Sequence, residues 1–131
     1  VNLEQAIHER WASYSGLESL LSAERLTTGR TRSGTPPYAT LEVRTVRSQL
    51  PTSQGPATTE IALRVNLWHD TYDEARAIVE QIREALDGAS LELTGSDEVA
   101  RLRHATDSIR QHPDGLWQWS VDFVARICAL P

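Results

Sequence analysis

The sequence predicts an α+β fold, a mainly antiparallel β-sheet with two helices packed on one of its faces. Three observations predict it. Between Thr59 and Leu86 the spacing of apolar residues changes from two to three and four, so a strand runs directly into a helix. The N-terminal segment carries a second helical stripe. Near the C-terminus two strand-like runs flank Pro113-Asp114-Gly115, a strong turn signal.

Taken in order, Asn2 to Tyr14 places Leu3, Ala6, Ile7, Trp11 and Tyr14 on one side, opposed by Glu4, Gln5, Glu9 and Arg10. Ser15-Gly16 ends this helix, and Leu17, Leu20 and Leu21 give an apolar turn able to plug one end of the core. Glu24 to Thr28 is a possible short strand. Residues 29 to 37 follow without periodicity and with glycine, proline, Arg30 and Arg32, the composition of an exposed loop. Such a loop is either a solvated connection or an arm whose arginines pair with carboxylates on a neighbouring molecule.

Tyr38 to Ser48 reads as a strand in which Leu41, Val43 and Thr45 alternate with Glu42 and Arg44. Its expected partner is the run from Thr59 to His69. The connection between them, Gln49 to Ala57, contains two prolines and is too long for a tight hairpin turn, so it reads as a protruding tip. In the second strand Ile61, Leu63, Val65 and Leu67 share the inner face. In the following helix Ala75, Ile78, Val79, Ile82 and Leu86 form the buried stripe. Thr71 with Glu74 has the spacing of a capping box, and Asp87-Gly88 supplies the stop.

Ala89 to Thr94 reads as a short edge strand through Leu91 and Leu93. Val99 to Gln111 is polar and is assigned as a strand because of the turn after it. The final strand sets Trp117, Trp119, Val121, Phe123, Ala125 and Ile127 on one face. Cys128 closes that run and reads as a buried structural thiol.

At 131 residues, with 40% hydrophobic and 24% charged, the chain is expected to be one domain, residues 1 to 131, with a core of its own. A single cysteine excludes an internal disulfide and any multi-cysteine metal site, and fits a reducing cytoplasm. No apolar run approaches the roughly 20 residues that span a bilayer. Val1-Asn2-Leu3-Glu4 lacks the layout of a secretory signal, so no membrane partner is expected. A net charge of −5 argues against wrapping nucleic acid. All 13 basic residues are arginine and methionine is absent, which reads as the codon bias of a GC-rich genome.

Catalytic signatures are missing. His8, His69, His104 and His112 lack a zinc-binding helical spacing, and Asp70 beside His69 is explained as a capping residue. There is no G-x-S-x-G elbow, and Gly29 and Gly34 precede a strand rather than a helix, the wrong context for a phosphate loop. Asp73-Glu74 lies in a first helical turn, where carboxylates complement the dipole. No cofactor or metal is expected. Trp117 and Trp119 read as core. Trp68 alternates with Ala62, Arg64 and Asn66, on the face away from the helices. It is either a single exposed side chain or an anchor covered by a partner, and tryptophan favours the second.

Four stretches carry a family resemblance: the helix opening Leu3-Glu4-Gln5-Ala6-Ile7; the loop from Gly29-Arg30 to Pro37-Tyr38; the run Val65-Asn66-Leu67-Trp68-His69-Asp70-Thr71-Tyr72-Asp73-Glu74-Ala75; and Asp114-Gly115-Leu116-Trp117-Gln118. Together they resemble the tail terminator, or tail completion, proteins of long-tailed bacteriophages. The resemblance covers nearly the whole chain and rests on shape rather than on catalytic residues. It implies a non-enzymatic virion subunit without cofactor, assembled in the host cytoplasm as a hexameric ring at the head-proximal end of a tail tube. That ring stops tube polymerisation and faces the head connector, while DNA passes through without specific binding. A prophage-derived particle or a gene transfer agent would use the same part.

The residues expected at interfaces with other copies, tube protein or connector are Arg30, Arg32 and Thr35 in the first loop, Gln49, Thr52 and Gln54 in the second, and Trp68. Two other readings are a head-completion or neck protein, and a small ligand-binding or catalytic domain using Trp68, His69 and Asp70.

Overall fold

A computed structural model of the chain describes residues 3–28, 35–49, 58–93 and 98–129. The helices are α1 (Leu3–Ser13), α2 (Ser15–Glu18) and α3 (Tyr72–Leu86), with a 3-10 turn at Ala23–Arg25. The strands are β1 (Leu26–Thr28), β2 (Tyr38–Gln49), β3 (Thr58–His69), β4 (Ser90–Leu93), β5 (Glu98–Gln111) and β6 (Trp117–Ala129). They form one sheet in the order β1-β2-β3-β6-β5-β4. Every neighbouring pair is antiparallel except β1 with β2. The predicted α+β class, with its mainly antiparallel sheet, is the observed one.

The order follows from two hairpins. β2 with β3 and β5 with β6 each pair locally, and β3 then pairs with β6 to join them in the centre. Helix α3 leaves β3 at mid-sheet and delivers the chain to β4 at the edge, so it must cross one face and contacts β3, β6 and β5. Its buried residues Ala75, Ile78, Val79, Ile82, Ala85 and Leu86 include the predicted stripe. Helix α1 adds Leu3, Ala6, Ile7 and Trp11 to the same apolar cluster. Each fully buried large side chain contributes about 1.5–3 kcal/mol relative to an exposed one, so this face holds the fold together.

Several local expectations are corrected. Leu20 is exposed, whereas Leu17 and Leu21 are buried and plug the core as expected. The Trp11 indole donates to the Leu21 carbonyl oxygen (2.7 Å), which fixes that plug against α1. In β2 a bulge at Arg44 shifts the register, so Thr45 lies opposite Ala62 and Val46 opposite Ile61. The alternation read through Thr45 therefore stops at Val43, because one extra residue reverses strand parity. Trp117 is half-buried rather than core. Cys128 is half-buried too, and by parity it shares the outer face with Ser120, Asp122 and Val124 instead of the core face of Ile127. Gly88 (φ 77°) follows the last turn of α3 and Gly115 (φ 92°) sits in the β5–β6 turn, both in the left-handed region that favours glycine.

Candidate interaction surfaces

The face of the sheet away from the helices has no covering layer among the described residues, yet its centre is buried. Three cross-strand rows explain this. Thr40, Asn66 and Ser120 form one row across β2, β3 and β6. On one side lies the row Tyr38, Trp68 and Gln118, and on the other the row Glu42, Arg64 and Asp122. Short polar side chains thus lie in a trough between two rows of long ones, and all three are buried.

Burial obliges them to hydrogen-bond. Asn66 Oδ1 accepts from Ser120 Oγ (2.7 Å) and from Gln118 Nε2 (3.3 Å), while its amide nitrogen lies 3.5 Å from Thr40 Oγ1. Gln118 in turn lies 2.7 Å from His112 Nε2. In the third row Arg64 makes a bidentate contact with Asp122, from Nε (2.6 Å) and Nη2 (3.1 Å). The Asp122 carboxylate stabilises the charged guanidinium through these bonds and raises the Arg64 pKa above its ordinary value.

Trp68 lies on this outer face, as its alternation predicts. Its ring stacks on Tyr38 at 5.3 Å between centroids and is only 8% exposed. Tyr38 is its direct cross-strand neighbour, so this chain itself supplies the cover that the sequence reading left to solvent or a partner.

The strand-to-helix corner beside it is organised differently. The expected capping box is not made, because the Thr71 side chain gives no cap bond. His69 is inserted between its two members: the Thr71 backbone N–H donates to His69 Nδ1 (3.0 Å), and His69 Nε2 faces Glu74 Oε2 (3.4 Å). Asp70 Oδ1 lies 2.9 Å from the same Nδ1, a hydrogen bond only when that nitrogen carries the proton. Trp68 and His69 project from opposite faces of β3, so the trio Trp68, His69 and Asp70 does not converge on one site. On the helix side, Tyr72 packs on Trp117 (5.1 Å) and Trp119 (5.3 Å) at this corner. The buried Trp119 Nε1 has no hydrogen-bond partner among the described residues.

The other expected interface residues fall at two separated places. Thr35 is exposed, and its carbonyl oxygen and that of Pro37 accept from Arg25 Nη1 (2.7 and 2.6 Å), which ties the start of β2 to the 3-10 turn. Gln49 ends β2 opposite Thr58, while Trp68 pairs at the beginning of that ladder. Tyr38 and Gln49 are the two ends of a 12-residue strand, roughly 35 Å apart at 3.3 Å per step, so these positions belong to different ends of the sheet. Arg30, Arg32, Thr52 and Gln54 lie outside the described residues. Among the described residues no group of His, Cys, Asp and Glu side chains is arranged to hold a metal, and no helix is long and apolar enough to cross a membrane.

Sequence reasoning missed the arginines of β5 and β6. Arg101 and Arg103 alternate, which was the available signal, but their relation to Arg126 depends on a register that no local pattern displays.

Around this corner and across the outer face, the buried polar side chains Thr40, Asn66, His69 and Ser120 are engaged in structural contacts rather than gathered at one reactive site. Comparison with known proteins agrees. The family model for Tail completion protein gp17 matches residues 5–128, and the chain belongs to that family of phage-type tail structural proteins. It is a virion-associated tail component that assembles with other virion proteins. Its fold is similar to a chain in the solved "Virion of native gene transfer agent (GTA) particle", with 16% identity, a TM-score of 0.73, and 96% of this chain and 94% of that one covered. A second solved structure shares the fold at 13% identity and a TM-score of 0.66, with 98% and 95% covered. No curated protein matches.

Proposed function

We propose that this chain is a tail terminator subunit. Six copies close into a ring on the end of a completed tail tube, stop further addition of tube protein, and offer their other side to the head connector. DNA passes through the ring without specific binding, and no catalytic step or cofactor is involved.

The observation that carries this reading is the family match over residues 5–128. The likeness to a virion chain of nearly equal extent supports it. So does the use of the candidate catalytic groups: His69 closes a corner, and His104 lies 2.6 Å from Asp107, which also receives Arg83 (3.0 Å). A terminator acts by shape and contact, so the surfaces rather than a pocket perform the function.

Particles assembled without this chain test the reading. Tails should then form with uncontrolled length, and adding the purified chain should restore a fixed one. In normal assembly the chain should be present on isolated tails before heads attach, at six copies by mass. Tails of normal length without it, or its presence only on head-bearing particles, would assign it to the neck instead.

A further inference from the structure

Charge is divided between the two layers. The helical segments 3–25 and 70–87 carry ten carboxylates against four arginines, whereas the rest of the chain carries eight against nine. The net charge of −5 therefore belongs to the helix layer. At one end of the outer sheet face Arg101 lies directly opposite Arg126, and Arg103 occupies the next outward row opposite Val124. These arginines, with Glu60 and Cys128, line a groove of about 450 Å³.

Like charges directly opposite one another destabilise a ladder. Arg126 has only a loose contact with Glu60 (3.8 Å), and the Arg101 and Arg103 side chains make no hydrogen bond or ion pair among the described residues. Three exposed guanidiniums thus converge on a groove in which Glu60 is the one carboxylate among the described lining residues.

The complement is present on the same molecule but on the opposite layer, where Glu84 Oε2 accepts a long bond from the Tyr14 hydroxyl (3.4 Å) and stays exposed. Asp73, Ala77, Glu80 and Glu84 recur at offsets of four, seven and eleven, which makes one exposed stripe along α3. Its pairing with Arg76, 3.4 Å from Glu80 and well exposed, is weak. Glu80 and Glu84 lie about 6 Å apart along the helix, close to the roughly 7 Å between Arg101 and Arg103 along β5. The small Ala77 lets another surface approach the stripe.

We propose that the Arg101, Arg103 and Arg126 groove receives the α3 carboxylate stripe of a second copy of this chain. Because the two surfaces lie on opposite layers, a two-fold dimer cannot satisfy both at one contact. The association is head to tail and repeats until it closes, the heterologous geometry that generates rings. This rests on the ring reading above and adds the surfaces by which copies join. Duplex DNA is a poorer occupant, since Glu60 within the groove would meet its phosphates as a like charge.

Two charge-reversed chains test it. One carries Arg101→Glu, Arg103→Glu and Arg126→Glu; the other carries Asp73→Arg, Glu80→Arg and Glu84→Arg. Each alone should lose association by at least about tenfold in sedimentation at low salt, where the unmodified chain associates. An equimolar mixture should restore it, because alternating copies again place opposite charges at every contact, and six is an even number. Either variant associating like the unmodified chain overturns the inference while leaving the ring reading intact. A mixture that fails to restore association, with both chains folded by circular dichroism, does the same. An unmodified chain that never associates, even with tube protein present, overturns both. A groove variant that keeps its association but loses retention of a 20-base-pair duplex assigns the arginines to nucleic acid, and overturns the inference. As a second variant, Arg101→Gln should weaken association yet raise the thermal midpoint of the free subunit, because it removes the like-charge pair. A lowered midpoint with association unchanged would count against it.

Discussion

On the helix side of the sheet, Leu63, Val65, Val121 and Phe123 belong to one apolar cluster with Ile78, Val79 and Ile82. On the other side of the same strands lie Thr40, Asn66, Ser120 and the Arg64–Asp122 pair. The first face is held by non-directional burial and tolerates any arrangement that keeps volume and pattern. The second is held by bonds of defined geometry, in which each member needs its particular partner.

This contrast can be broken face by face. The largest effect should come from Phe123→Ala, which empties a fully buried site and should cost about 3–5 kcal/mol in chemical denaturation. A loss below about 1 kcal/mol would mean that the helix layer does not dominate. Asn66→Leu on the outer face should cost about 1–3 kcal/mol, because Ser120 and Thr40 would remain buried without their partner. Replacing Thr40, Asn66 and Ser120 together with apolar residues of similar size should recover most of that loss. If it does not, the trough is held by something other than mutual hydrogen bonding.

Smaller effects sharpen the comparison. Arg64→Met should cost about 1 kcal/mol, since the pair is bidentate but a quarter exposed. Its pKa is raised on folding, so the stabilisation from this arginine is fully present below its unfolded value and is lost only as pH rises through the folded one. Both lie above the working range, and Arg64→Met should therefore show the same stability difference from the unmodified chain at pH 7 and pH 10. Smallest of all, Thr71→Ala should cost under about 0.5 kcal/mol in the same assay, against the roughly 1 kcal/mol typical of a side-chain cap, because the hydroxyl makes no cap bond.

The helix-facing half was legible because its signal is periodic. Ile61 to Leu67 and Ala75 to Leu86 announce their faces through spacing alone, and the polar β5 was recovered from the turn that follows it. Trp68 was placed on the correct face, but its stacking on Tyr38 was not foreseen, since the two are thirty residues apart in sequence. The capping box failed for a related reason: the spacing of Thr71 and Glu74 was right, yet His69 at the end of β3 reached both groups first.

By itself the sequence determined the main elements, their order, most of the inward residues and the likeness to tail completion proteins, because hydrophobic periodicity and turn chemistry are local. Only the tertiary structure decided the outward rows. Which polar residue meets which, and that Arg101 faces Arg126 while the carboxylates collect on the opposite layer, depends on strand register, bulges and the path of α3 across the sheet. Those are relations between distant segments, and they exist only once the core has closed.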